Sequence, residues 1–177
     1  MSCTQITLSS TGAHTGTLGG IATIAGGSVL SGDFVYADMQ AFGTPFGGTY
    51  LAAGPTATNP SVLSFNSPVS FVSFLWGSPD TYNTLTVTTN LGSYTYVPGG
   101  VNGLNFSSTN GSQSYAQYAG FTAGVGESIS TLMFASTQDA FEAANFSISP
   151  VPEPETYALM LGGLGLLGFV ARRRKAV

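Results

Sequence analysis

Residues 1–149 of this 177-residue chain read as all-β, a single β-sandwich or jelly-roll-like domain. Three observations predict it. Short apolar runs are punctuated by Gly, Pro, Asn and Ser. Several of them alternate apolar with polar residues, the pattern of a strand with one wet face. Between them no stretch spaces its apolar residues as a helix does, so neither a helical bundle nor an alternating α/β layout fits.

Taken in chain order, residues 1–32 are rich in Thr, Ser, Gly and Ala. They hold neither a basic start nor a long apolar run, so they are no secretory signal. Residues 62–65 and 69–76 are β-branched and aromatic, separated by Asn66, Ser67 and Pro68. Leu85 and Val87 alternate with Thr84, Thr86 and Thr88; Asn90, Leu91 and Gly92 form a turn, and Tyr94 and Tyr96 share a face of the next strand. This is the signature of a hairpin. Residues 128–134 and 141–149 are further strands, the last alternating through Asn145, Phe146, Ser147 and Ile148.

Charge excludes several functions. Charged residues make up 7% of the chain, and its four cations are consecutive: Arg172, Arg173, Arg174 and Lys175. Residues 1–171 hold no Lys or Arg. Nucleic-acid binding needs cations against phosphates, so no nucleic-acid partner is expected. Cys3 is the one cysteine, which rules out an internal disulfide.

Composition changes at Pro150. Residues 150–155 (Pro-Val-Pro-Glu-Pro-Glu) lack the backbone donors of a central strand and should form an extended linker. Residues 156–171 are apolar and uncharged, and 172–177 begin with the four cations. A helix over 155–171 would span about 25 Å against a hydrocarbon core of about 30 Å, a mismatch that thinning and snorkelling absorb. The basic block is a stop-transfer signal that stays inside and leaves everything before it outside. Domain limits follow: an ectodomain over 1–149 and a tail over 150–177.

Pro152, Glu153 and Pro154, then the apolar helix, then the Arg-Arg-Arg-Lys block closely resemble the PEP-CTERM sorting signal of bacterial exosortase substrates. The resemblance implies export, transient anchoring in the inner membrane, and cleavage near Pro152-Glu153-Pro154 by an exosortase. Release would be to the cell surface or to an exopolysaccharide-associated (biofilm) matrix. A permanently anchored single-pass protein is the rival. Members of the family begin with a signal peptide, so Met1 is expected to be internal to a longer product. A second stretch, Trp76-Gly77-Ser78-Pro79-Asp80-Thr81-Tyr82-Asn83, resembles the Trp-Gly-Ser-x-Asp-x-Tyr-Asn segment of a group of exosortase-dependent surface proteins. That group's Phe-Glu segment is matched by Phe141-Glu142, but Ala144-Asn145 stands where Asp-Asn often follows. The group implies a β-sandwich of no established activity.

Candidate sites in the domain are few. Trp76, Asp80, Tyr82 and Asn83 suit a lectin-like, sugar-facing edge, with Trp76 or Tyr82 stacking and Asp80 and Asn83 hydrogen-bonding. The turn-rich Gly77–Asp80 context favours the alternative, a core tryptophan followed by a turn whose Asp and Asn bond local amides. Asp33, Asp38, Asp80, Glu127, Asp139 and Glu142 are candidate calcium ligands, though no Asp-x-Asp-x-Asp-Gly loop is present. Catalysis is not expected: His14 lacks a nucleophile elbow and Cys3 lacks a base. No cofactor is implied.

Overall fold

A computed structural model describes residues 4–31, 49–100, 104–111, 115–151, 162–164 and 166–167. In chain order its strands are β1 (Thr4–Ile6), β2 (Leu8–Gly12), β3 (Thr15–Leu18), β4 (Ala22–Ala25), β5 (Ser28–Ser31) and β6 (Thr49–Ala53). They continue with β7 (Ser61–Gly77), β8 (Asn83–Thr89), β9 (Ser93–Tyr96), β10 (Ala116–Thr122), β11 (Ile129–Ser136) and β12 (Phe141–Pro150). The domain is mostly β, as its alternation predicts.

All these strands join one hydrogen-bonded sheet. One run is ordered β2-β3-β4-β7-β11-β8-β9; β10 and β12 also pair with β7, and β12 carries β1 and β6, with β5 beyond β6. The expected hairpin is β8–β9, in register from Leu85↔Tyr96 to Thr88↔Ser93.

The long strand β7 shapes the molecule. Its start pairs with β4 and β11, as in Ala22↔Phe65 and Phe134↔Ser61. Its later part pairs with β10 and β12, from Pro150↔Val69 to Glu142↔Gly77. Were it straight, residues 61 and 74 would lie about 43 Å apart at ~3.3 Å per residue. Phe134 is in register with Ser61, yet its ring centroid is 5.4 Å from that of Phe74. The strand therefore turns back on itself, at the exposed Asn66, Ser67 and Pro68. Proline suits this corner because the ladder is broken there and needs no donor. The two strands expected at 62–65 and 69–76 are thus one bent strand, and the expected separate sheets are one sheet folded into two facing layers.

Between the layers lies an aromatic core. Phe74, Trp76, Phe134, Phe141 and Phe146 are all buried. Trp76 stacks on Phe141 at 4.0 Å, and Phe134 meets Phe141 edge-on at 5.1 Å. Each such side chain contributes about 1.5–3 kcal/mol by burial, and each ring pair about 0.5–1.5 kcal/mol more. Alternation turns this face inward most plainly in β8, where Asn83, Leu85, Val87 and Thr89 are buried and the residues between them are half-exposed.

Candidate functional site

At one end of the layers, β7 leads through residues 78–82 into β8. Asn83 is fully buried and organises this turn. Its Oδ1 accepts the Asp80 N–H at 3.0 Å and the Trp76 indole N–H at 3.4 Å. Its Nδ2 donates to Ser136 Oγ at 3.0 Å and to Ala140 O at 3.5 Å. Trp76 is wholly buried, with Phe141 on its face and Phe106 at its edge. Neither side chain can meet a sugar without opening the core, so the sugar-facing edge at Trp76 and Asn83 is corrected to a core tryptophan and a turn-fixing asparagine. Asp80 is buried too, its carboxylate seated so close to Gly111 (φ +65°) that a Cβ there would lie 2.3 Å from Oδ2. Only glycine tolerates both that backbone and that approach.

Carboxylates gather around this turn. Tyr82 is half-buried, and desolvation, together with its hydrogen bond to Asp80, pushes its hydroxyl up to about 12. Glu142, on β12, accepts the Ser78 hydroxyl at 3.0 Å. Burial raises its carboxyl to about 7, against a smaller lowering by Ser78. Asp139 Oδ1 accepts the Thr56 N–H at 3.0 Å. Among the described residues no group of three or more acidic, His or Cys side chains is placed to hold a metal ion. Of the calcium candidates, Asp33 and Asp38 lie outside the described residues, and Glu127 sits at the other end of β8, about 20 Å from Asn83. His14 is a structural tie, its Nδ1 2.9 Å from both Gly27 O and Thr58 Oγ1.

The opposite end is built differently. Glu127 Oε1 accepts the Thr89 hydroxyl at 2.7 Å, and Oε2 the Gly124 N–H at 2.9 Å. These donors, the backbone one foremost, hold its carboxyl below the usual range, and Tyr94 adds a further hydrogen bond. Asn90 completes the lacing: Nδ2 donates to Gly126 O at 3.0 Å, and Oδ1 accepts the Ser128 N–H at 2.8 Å. The β8–β9 and β10–β11 turns are therefore one unit. Beside it opens a cleft of about 510 Å³, floored by Val87, Phe121, Leu104 and Ile129, with Glu127 on its wall. Carrying a carboxylate and no cation, it disfavours anions.

This same end releases the chain. β12 runs to Pro150, one residue past the expected boundary. Ser70 Oγ bonds Ser149 O at 3.1 Å and Pro150 O at 3.0 Å, while its carbonyl accepts the Ala123 N–H at 2.9 Å. The tail thus leaves from a fixed point beside the β10–β11 turn. Pro152, Glu153 and Pro154 lie outside the described residues, as do Arg172, Arg173, Arg174 and Lys175. Of the helix expected over 156–171, residues 162–164 and 166–167 are described; they are helical, with Leu164, Leu166 and Leu167 exposed. No helix among the described residues is long and apolar enough to cross a membrane.

A mostly β domain is thus followed by a compositionally distinct tail. Residues 150–175 match the family model of the PEP-CTERM protein-sorting motif, so the chain carries that signal. The motif implies processing by an exosortase, with export and transient membrane association on the way to the cell surface. No curated protein matches the chain. The match begins at the residue where β12 ends.

Proposed function

We propose that the chain is a non-enzymatic exported protein of the bacterial surface or of a biofilm, exopolysaccharide-associated matrix, cut from its membrane anchor near Pro152-Glu153-Pro154. Residues 1–149 form the ectodomain, a sandwich-type scaffold made by the folded-over sheet, and 150–177 the disposable tail, with a membrane helix over 156–171. The likeness of the Trp76–Asn83 segment to exosortase-dependent surface proteins supports the same reading. One observation carries it: the sorting-motif match starts where the folded domain stops. The two prolines have a physical task here, keeping the scissile backbone extended and preventing the helix from winding up to the domain. Arg172, Arg173, Arg174 and Lys175 hold the topology.

The test is an intact-mass and fractionation experiment in a host that has the exosortase. Wild type should be released and shortened by the segment beyond the motif. Pro152→Ala/Pro154→Ala and Glu153→Ala should accumulate as full-length, membrane-bound precursor. Equal mass and distribution for all three would make the tail a permanent anchor and refute the sorting function.

A further inference from the structure

We propose that, while the chain is still tethered, the end carrying the β8–β9 and β10–β11 turns rests on the lipid surface, with Leu91 and Val125 inserted. The inference rests on the tail reading above and adds an orientation to it.

Turn tips ordinarily carry Gly, Pro, Asn, Asp or Ser. Here the two laced turns instead present Leu91, 66% exposed, and Val125, fully exposed. The second is a tight turn, Glu127 N–H to Gly124 O at 3.1 Å, with Gly126 at φ +75°. Its geometry obliges the side chain before Gly126 to project. Scattered exposed apolar residues need no explanation. These two come from separate segments of the sequence and are brought together by Asn90.

Their position relative to the tail decides what covers them. Val69 pairs with Pro150 on one side and with Ile129 on the other, and Ile129 pairs with Thr89. Three inter-strand steps of about 4.8 Å place Pro150 within about 15 Å of Thr89. Ser70 links Pro150 directly to Ala123 at the foot of the second turn. Val151, the next residue, is itself 37% exposed. Only Pro152 to Glu155 separate it from the uncharged run that begins at Thr156. So short a connection keeps this end, and not the Asn83 end, next to whatever the tail enters. Among the described residues the end bears no cation, and its acid, Glu127, is engaged by Gly124, Thr89 and Tyr94. Its chemistry therefore fits a zwitterionic lipid surface through apolar contact, not an anionic one through charge.

Full-length chain carrying Cys3→Ser is labelled with a polarity-sensitive fluorophore at Leu91→Cys, Val125→Cys or Thr81→Cys. Thr81 is an exposed control at the opposite end. Each is reconstituted into phosphatidylcholine vesicles containing a lipid-borne quencher, with flotation measured in parallel. Circular dichroism verifies that each labelled chain is folded. Quenching at positions 91 and 125 should be at least about twofold that at 81, with a blue shift at the two turns alone. If the chain floats with the vesicles but positions 91 and 125 are quenched no more than 81, docking is overturned and the tail reading stands. A chain that does not float overturns both.

Discussion

Glu142 makes the domain's stability depend on pH across the neutral range, and Glu142→Gln should abolish that dependence. Burial on β12 raises its carboxyl to about 7 in the folded protein, from an ordinary 4.5. An acid with a raised folded value is held better protonated. Its stabilising share is fully present below pH 4.5 and is lost as the pH climbs through 7. The difference corresponds to about 3 kcal/mol between the two ends of that window. For a domain of this size about 3 kcal/mol is about 6 to 12 °C in melting temperature. Glutamine keeps the side chain's shape, leaves an oxygen to accept the Ser78 hydroxyl, and cannot ionise. Thermal melts followed by circular dichroism from pH 5 to pH 8.5 should fall for wild type and stay flat for Glu142→Gln. The raised Tyr82 hydroxyl titrates well above this window, and the lowered Glu127 carboxyl below it. Parallel curves for the two proteins would refute the assignment.

Other outcomes follow from single contacts. Asn83→Ala leaves the buried Asp80 amide and Trp76 indole without their acceptor, and urea unfolding should show a loss of about 2 kcal/mol or more. Ser70→Ala removes both bonds that pin Ser149 and Pro150, so amide exchange in the last residues of β12 should quicken while the global melt moves by only about 1 kcal/mol. Gly111→Ala forces a methyl against the Asp80 carboxylate at a left-handed backbone position; it should destabilise the domain by about 1–3 kcal/mol, read in the same unfolding assay. Replacing Arg172, Arg173, Arg174 and Lys175 by Gln removes the charges proposed to act as a stop-transfer signal. The shortened product should then fall sharply on immunoblots, and normal yield would refute their role.

What could be read beforehand was what local sequence encodes. Alternation at Leu85 and Val87 with a Gly-bearing turn led to the β8–β9 hairpin, and the Asp80–Asn83 spacing led to a turn whose asparagine bonds a nearby amide. The tail was legible because its linker, apolar run and cations are consecutive. Long-range pairing was not. Nothing near Asn83 announces Ser136, and nothing at Ser61 shows that its strand will return to face Phe134. The strands β2 to β5 were also hidden: they are short and built of Thr, Ser, Gly and Ala around single anchors such as Leu18 and Ile24. The exposed Val125 and its nearness to Pro150 were not legible either, because they depend on the turn geometry and on the bend at Pro68.

The position of β12 has a mechanical consequence. The strand that bears the tail is an inner one, paired with β7 along one edge and with β1 and β6 along the other. A load applied lengthwise through Val151 enters it in shear, so its hydrogen bonds to three neighbours strain together and not one after another. An edge strand such as β9 or β2 pairs with a single neighbour, so the same lengthwise load would meet fewer bonds there. The strand from which the tail departs is thus held along both of its edges.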